Sequence, residues 1–506
     1  MSDGALERLR RLGEPFMEEL AHAHWQAGAG HTRAIELRPI YEKHKAVSGR
    51  DSLETALDAF RDAAPGSEKA RSARILLDWQ VESHASRQLA SLEEREVAWE
   101  HDAIVRLPDG REIPYQRAAI EIANSTDRNE RLSIDATRAT LVERELAPLR
   151  REHFQREHDL VDALAVAPSY IDAIDVLGGV RLRALGKSCE RFLRDTQAMW
   201  DDALRDRLKR DLGIAPSDAT RSDSLALTRA PHFDRFFPAA EMESTVRRQL
   251  GEMALDPEAS GRVLYDTGDR DGKRSRAFCA PVRIPREVHL VMRPHGGVTD
   301  WMMLLHELGH ALHFANMRTD LPFEFRWLGD NSITEGYAML FDHRLQDGGW
   351  LRRYTSMRGE DLGRFLRAAG FEELRFLRRY TAKLMYELDL HGGEVSWDDL
   401  PAVYADRLTS ATGFRYSSAD AFIDVDPRFY AARYLQAWQL QSALAETLVQ
   451  RFDDDWWRNP RAGPWITDNL FSDGQRELAG ELALRVAGRE LSFAPLVRSV
   501  ERLLQS

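Results

Sequence analysis

The stretch Thr299-Asp300-Trp301-Met302-Met303-Leu304-Leu305-His306-Glu307-Leu308-Gly309-His310-Ala311-Leu312-His313 decides how this chain is read. It opens on residues of the kind that cap helices and continues with apolar residues at helical spacing, which predicts a helix. Four residues separate His306 from His310. Both imidazoles therefore project from one face, one turn apart, where they can reach a single zinc ion. Glu307 stands beside the pair, placed to take a proton from a water on that ion. Two core histidines and a carboxylate would each need a polar partner inside an apolar helix, and a metal supplies that compensation for the histidines. The pattern implies metal-assisted hydrolysis.

The rest of the composition is consistent with an ordinary globular chain. Of 506 residues, 43% are hydrophobic and 30% charged, enough for a large core and unlike a disordered protein. A formal net charge of -12 argues against nonspecific nucleic-acid binding, since phosphates would be repelled. Two cysteines, Cys189 and Cys279, make no disulfide framework. The first twenty residues carry Glu7, Arg8, Arg10, Arg11, Glu14, Glu18 and Glu19, so they hold no apolar signal core. Residues 301–317, the greasiest run, are interrupted by three histidines and a glutamate, which excludes a membrane span. A soluble, cytoplasmic protein with neither nucleic-acid nor membrane partners is expected, its oligomeric state unwritten in these residues.

Helical patterns dominate: residues 68–100, 127–164, 179–212, 242–253 and 371–390 space their apolar residues three and four apart between charged ones. Residues 261–294 break this pattern, with short β-branched and aromatic runs between Gly, Asp and Pro. They predict two or three antiparallel strands just before the histidine helix. No repeat or long linker divides the chain. The expected fold is mainly α, its N-terminal and C-terminal halves sharing one scaffold.

A catalytic zinc keeps three protein ligands and one open position. Glu335 in Asn331-Ser332-Ile333-Thr334-Glu335 is one candidate for the third, at the start of a second helix with Ser332 as its cap. Ser332 to Glu335 is equally a capping box, which would occupy Glu335 structurally. Asp330, 20 residues after His310, is a rival ligand. His313 is rotated away from the pair and is read as a packing histidine.

At these residues the chain resembles the thimet oligopeptidase and oligoendopeptidase F family of zinc peptidases. That family carries His-Glu-Phe/Leu-Gly-His-Ala-x-His and a ligand glutamate 25 residues after the second ligand histidine, the spacing from His310 to Glu335 here. The resemblance implies His306, His310 and Glu335 as ligands of one zinc ion per chain, with Asp330, at the thermolysin-type spacing, a minor candidate. Asp342 stands where the family often has a second glutamate. Upstream, Tyr265-Asp266, Arg270, Gly272-Lys273 and Ala277-Phe278 are similar to family elements before the active helix. By resemblance, Ala277 and Phe278 belong to a strand that pairs with substrate backbone. Downstream, residues 426–437 are similar to the family's tyrosine-rich helix, which implies Tyr434 first and Tyr430 second as donors to the oxyanion. The family's histidine before these tyrosines is missing: near Val425 the chain has only Asp424 and Asp426.

The similarity spans roughly residues 265–434 and implies a mainly helical fold of two lobes, a helical N-terminal one over residues 1–255 and a catalytic one over 256–506, around a deep channel that admits short peptides. The implied function is hydrolysis of peptide bonds in short oligopeptides. A carboxypeptidase or dipeptidyl carboxypeptidase is the rival enzyme, with Arg415, Arg428 and Arg433 as candidate anchors for a free C-terminus. A zinc-stabilised protein that binds peptides without cutting them is the third reading, opposed by the intact Glu307.

Overall fold

The structure, a computed structural model, describes residues 2–228, 231–255 and 261–506. Its architecture is mainly helical, as expected. Three helices of 34 to 36 residues, Glu68–Asp102, Arg128–Ala163 and Gly359–Gly392, form the long struts. Ser67 and Asp127 cap the first two by accepting hydrogen bonds from backbone N–H groups of the first turn, and left-handed Gly393 ends the third. The pattern over residues 179–212 splits into Leu182–Asp195 and Gln197–Asp211. At the break, buried Arg378 donates to the Leu193 carbonyl and the Thr196 hydroxyl, so a distant residue completes the interruption.

A short hairpin, β1 (Ile104–Arg106) with β2 (Glu112–Pro114), lies between helices and had no counterpart in the expectations. The expected sheet does precede the histidine helix, as β3 (Val263–Asp266), β4 (Phe278–Arg283) and β5 (Glu287–Val291). Its pairing corrects the antiparallel expectation. The order is β3-β5-β4, with β4 antiparallel and β3 parallel to β5. The link between β3 and β4 carries the chain past the central position, which β5 then fills. Burial of β5 from Val288 to Val291 follows from that central place. The link is closed on itself: Asp266 pairs with Arg270 and Lys273, and the Lys273 ammonium also donates to the carbonyls of Asp266 and Gly268. These are the residues of the upstream family element, and here they shape a turn.

Two large apolar cores, with two small satellite clusters, organise the described residues. One joins Leu76, Leu177 and Leu204 to Leu377, Leu384, Leu390 and Leu435, and so draws on both halves of the sequence. The other surrounds the histidine helix, with Val288, Leu290, Trp301, Leu305, Leu308, Ile333, Leu340 and Leu440. The expected boundary between residues 255 and 256 borders 256–260, which lie outside the described residues. Among the described residues no helix is long and apolar enough to cross a membrane.

Candidate metal centre

The histidine helix runs Val298–Ala315, starting just before the expected cap; the Asp300 carboxylate instead accepts from the N–H groups of His295 and Gly296 ahead of it. The second helix, Asn331–Asp342, packs against it. Its cap corrects the sequence reading. Asp330, not Ser332, is the N-cap, accepting from Ser332 N–H at 2.9 Å. Asp330 also takes Arg433 at 2.8 Å and Ala479 N–H at 2.8 Å, so this rival ligand is fully engaged. With the cap supplied two residues earlier, no capping box holds Glu335.

Glu335 turns instead toward the histidines. One ligand atom each from His306, His310 and Glu335 lies within 4.8 Å of the others, a group that could hold a metal ion. Glu335 Oε2 is 3.4 Å from His306 Nε2 and 3.8 Å from His310 Nε2. The other ring nitrogens are occupied: His306 Nδ1 meets Asp342 Oδ2 at 2.8 Å, and His310 Nδ1 meets Thr334 Oγ1 at 2.8 Å. Those partners orient the rings and direct both Nε2 atoms at one point. Glu335 Oε2 is buried there with no hydrogen-bond partner among the described residues. A divalent ion would satisfy it, and two imidazoles with a carboxylate are a zinc-type donor set. The residues fit the ion.

The electrostatics agree. Burial opposes a charge on His306, yet the hydrogen bond to Asp342 and the neighbouring Glu335 carry its pKa up to about 10. Burial pushes His310 down to about 4, leaving a neutral ring suited to ligation. Burial raises Glu307 above the usual carboxylate range. Its Oε2 accepts the backbone N–H of Cys279 on β4 at 2.8 Å. The strand thus reaches the expected base through Cys279, a residue sequence reasoning missed; a backbone donor leaves no mark in side-chain identity. Ala277 is buried in the second core, and Phe278 packs its ring on Gly28 of the first helix (Ser2–Gly28).

Both tyrosines lie on the helix Tyr430–Phe452, their rings 5.1 Å apart. The Tyr430 hydroxyl donates to Glu335 Oε1 at 3.0 Å. Tyr434 is half-buried, and its hydroxyl has no hydrogen-bond partner among the described residues. Burial and then the charge of Glu335 raise both phenols, keeping them protonated donors. His313 faces Tyr337 and Phe471 in the core, and burial holds its pKa down at about 3. Of the candidate anchor cations, Arg433 is held by Asp330 and the Gly178 carbonyl, Arg428 by Asp78, and Arg415 is exposed. Where the family histidine is missing, Asp424 binds Arg379 and the Tyr404 hydroxyl, while Asp426 binds Lys383 at 2.7 Å.

No family model and no curated protein matches the chain. Solved structures do. BsuCP aligns with a TM-score of 0.61 at 14% identity, covering 100% of this chain and 98% of its own. Pyrococcus furiosus carboxypeptidase in an apo-Mg form aligns with a TM-score of 0.63 at 14% identity, covering 99% of this chain and 98% of its own. At that identity the likeness establishes a shared fold over the full length.

Proposed function

We propose that this chain is a zinc-dependent peptidase that hydrolyses peptide bonds in short peptides. The observation that carries the reading is the partnerless Glu335 Oε2 facing His306 Nε2 and His310 Nε2, with Glu307 beside them. His306, His310 and Glu335 would hold the ion. An ion held there would supply a bound water of lowered pKa and polarisation of the scissile carbonyl. Glu307, held by the Cys279 N–H, accepts the water proton and passes it to the departing amine. The unengaged Tyr434 hydroxyl donates to the carbonyl oxygen as it gains charge, while Tyr430 serves Glu335.

Release of single C-terminal residues is a second mode of the same site. The carboxypeptidase fold neighbour favours it, as does Arg276, an exposed cation whose guanidinium contacts Met303 Sδ at 3.3 Å, one helical turn before Glu307. A terminal carboxylate lies only about 4 Å beyond the scissile carbonyl carbon, within reach of such a group.

The test uses zinc-loaded protein on peptides of one sequence, as free acids and C-terminal amides, with and without a chelator. Cleavage that stops on chelation is expected. Glu307→Gln is expected to retain zinc and lose on the order of 10²–10⁴-fold in rate. Undiminished cleavage by that variant would remove Glu307 from its role. Failure to cut any peptide would overturn the peptidase reading, and equal cutting of acid and amide would overturn the C-terminal mode.

A further inference from the structure

The segment ahead of Tyr430 is anchored at nearly every residue. Asp424 is paired with Arg379, Asp426 with Lys383, and the Asp426 N–H donates to Glu387 Oε1 at 2.9 Å. Arg428 then crosses to Asp78 on the helix Glu68–Asp102. Phe429 is buried, its ring 4.8 Å from His391 and 6.4 Å from Tyr170.

Two of these residues hold an unusual backbone. Arg428 (φ 52, ψ 38) and Phe429 (φ 58, ψ 40) are both left-handed. A side chain with a Cβ disfavours that region, and two such residues in succession persist only where their surroundings over-determine them. The left-handed pair turns the chain so that the next residue, Tyr430, opens its helix with its hydroxyl on Glu335 Oε1. Arg428 Nη1 is buried without a hydrogen-bond partner among the described residues, so the pairing there rests on Nη2 and Asp78.

We infer that Asp78 and Arg428 are positioning residues for the metal centre: their ion pair pins the left-handed turn and so holds Tyr430 on Glu335 Oε1. Oε2 is thereby left facing both imidazoles. The inference rests on the reading that His306, His310 and Glu335 hold the ion. It also makes a helix of the N-terminal half part of the metal site's support, although no residue of that helix is among the candidate ligands.

The measurement is zinc affinity, by competition with a chromophoric chelator, alongside thermal unfolding of the same metal-free proteins. Asp78→Asn and Tyr430→Phe are each expected to weaken zinc on the order of 10-fold, the usual effect of removing a group that orients a ligand. The double variant is expected to be no weaker than either single one, since both act on one carboxylate. Asp78→Glu, which keeps the charge, is expected to stay nearer the native affinity. Should Asp78→Asn not fold, Arg428→Gln replaces it: it breaks the same ion pair from the other side while keeping a side chain at the left-handed residue, so the same loss of zinc affinity is expected. Zinc affinity unchanged on breaking the pair from either side, or independent losses in the double variant, would each overturn the positioning role. A native chain that binds no zinc would instead overturn the metal reading, and the positioning role with it.

Discussion

Glu387 is fully buried, and its carboxyl has one partner where a charge would need several. Oε1 accepts the Asp426 N–H, while Oε2 has no hydrogen-bond partner among the described residues. Burial pushes its pKa up to about 8 from an ordinary value of 4.5. Between those values the native state keeps a proton that the unfolded chain releases, so stability falls as pH rises through that window. Glu387→Gln keeps the acceptor and removes the titration. On metal-free protein it is expected to be nearly neutral at the acid end of the window. Near its alkaline end it is expected to gain roughly 1–3 kcal/mol in urea unfolding. A gain of equal size at both ends would refute the assignment. Single residues differ in how far sequence exposes them. His306, Glu307 and His310 obey spacings set by helix geometry and were legible from them; Glu335 was singled out only by the spacing that the family resemblance carries, its local pattern serving a capping box equally well. The burial of Glu387 depends on residues far along the chain, and no local pattern announces it.

Helices meet closely only where side chains allow, and Gly309 is such a place. A Cβ there would stand 2.6 Å from Ala338 Cα and 2.7 Å from the Tyr337 carbonyl oxygen, both on the Glu335 helix. Alanine would improve helix propensity by about 1 kcal/mol. It would also force apart the two helices whose separation sets the distances between Glu335 and the imidazoles. Overpacking against rigid backbone is expected to win, giving Gly309→Ala a net loss of about 1–3 kcal/mol and weaker zinc binding. Thermal unfolding and chelator competition on one sample check both, and a stabler variant with native zinc affinity would contradict the packing argument. Periodicity made most helices readable at this scale. It did not reveal the parallel pairing of β3 with β5, because strand order is decided by where a link crosses and not by alternation. Nor did it place the cap: Asp330 and Ser332 are both good caps, and the choice lies with Arg433 and Ala479, which recruit Asp330 from a distance.

Across the whole molecule the N-terminal helices are completed by elements from the C-terminal half. The core around Leu76, Leu177 and Leu204 is closed by Leu377, Leu384 and Leu390 of the helix Gly359–Gly392 and by Leu435 of the tyrosine helix. Buried Arg138 makes two bonds to Asp420, at 2.8 and 2.7 Å, and Arg10 meets Glu324 at 2.6 Å. A fragment of residues 1–255 would bare those apolar faces and leave the Arg138 guanidinium, paired in the full chain with a carboxylate, without Asp420. Removing one member of a buried pair costs about 3–5 kcal/mol where the other stays desolvated, enough to spend much of a domain's stability. The fragment's long helices have strong local patterns of their own, so secondary structure is expected to outlast packing. Far-ultraviolet circular dichroism is therefore expected to show helix, with dye binding to exposed apolar surface and no cooperative thermal transition. The intact chain is expected to melt cooperatively without binding dye. A fragment that melted cooperatively would show that the shared core is dispensable, and that the Asp78 helix keeps its shape without the site it supports.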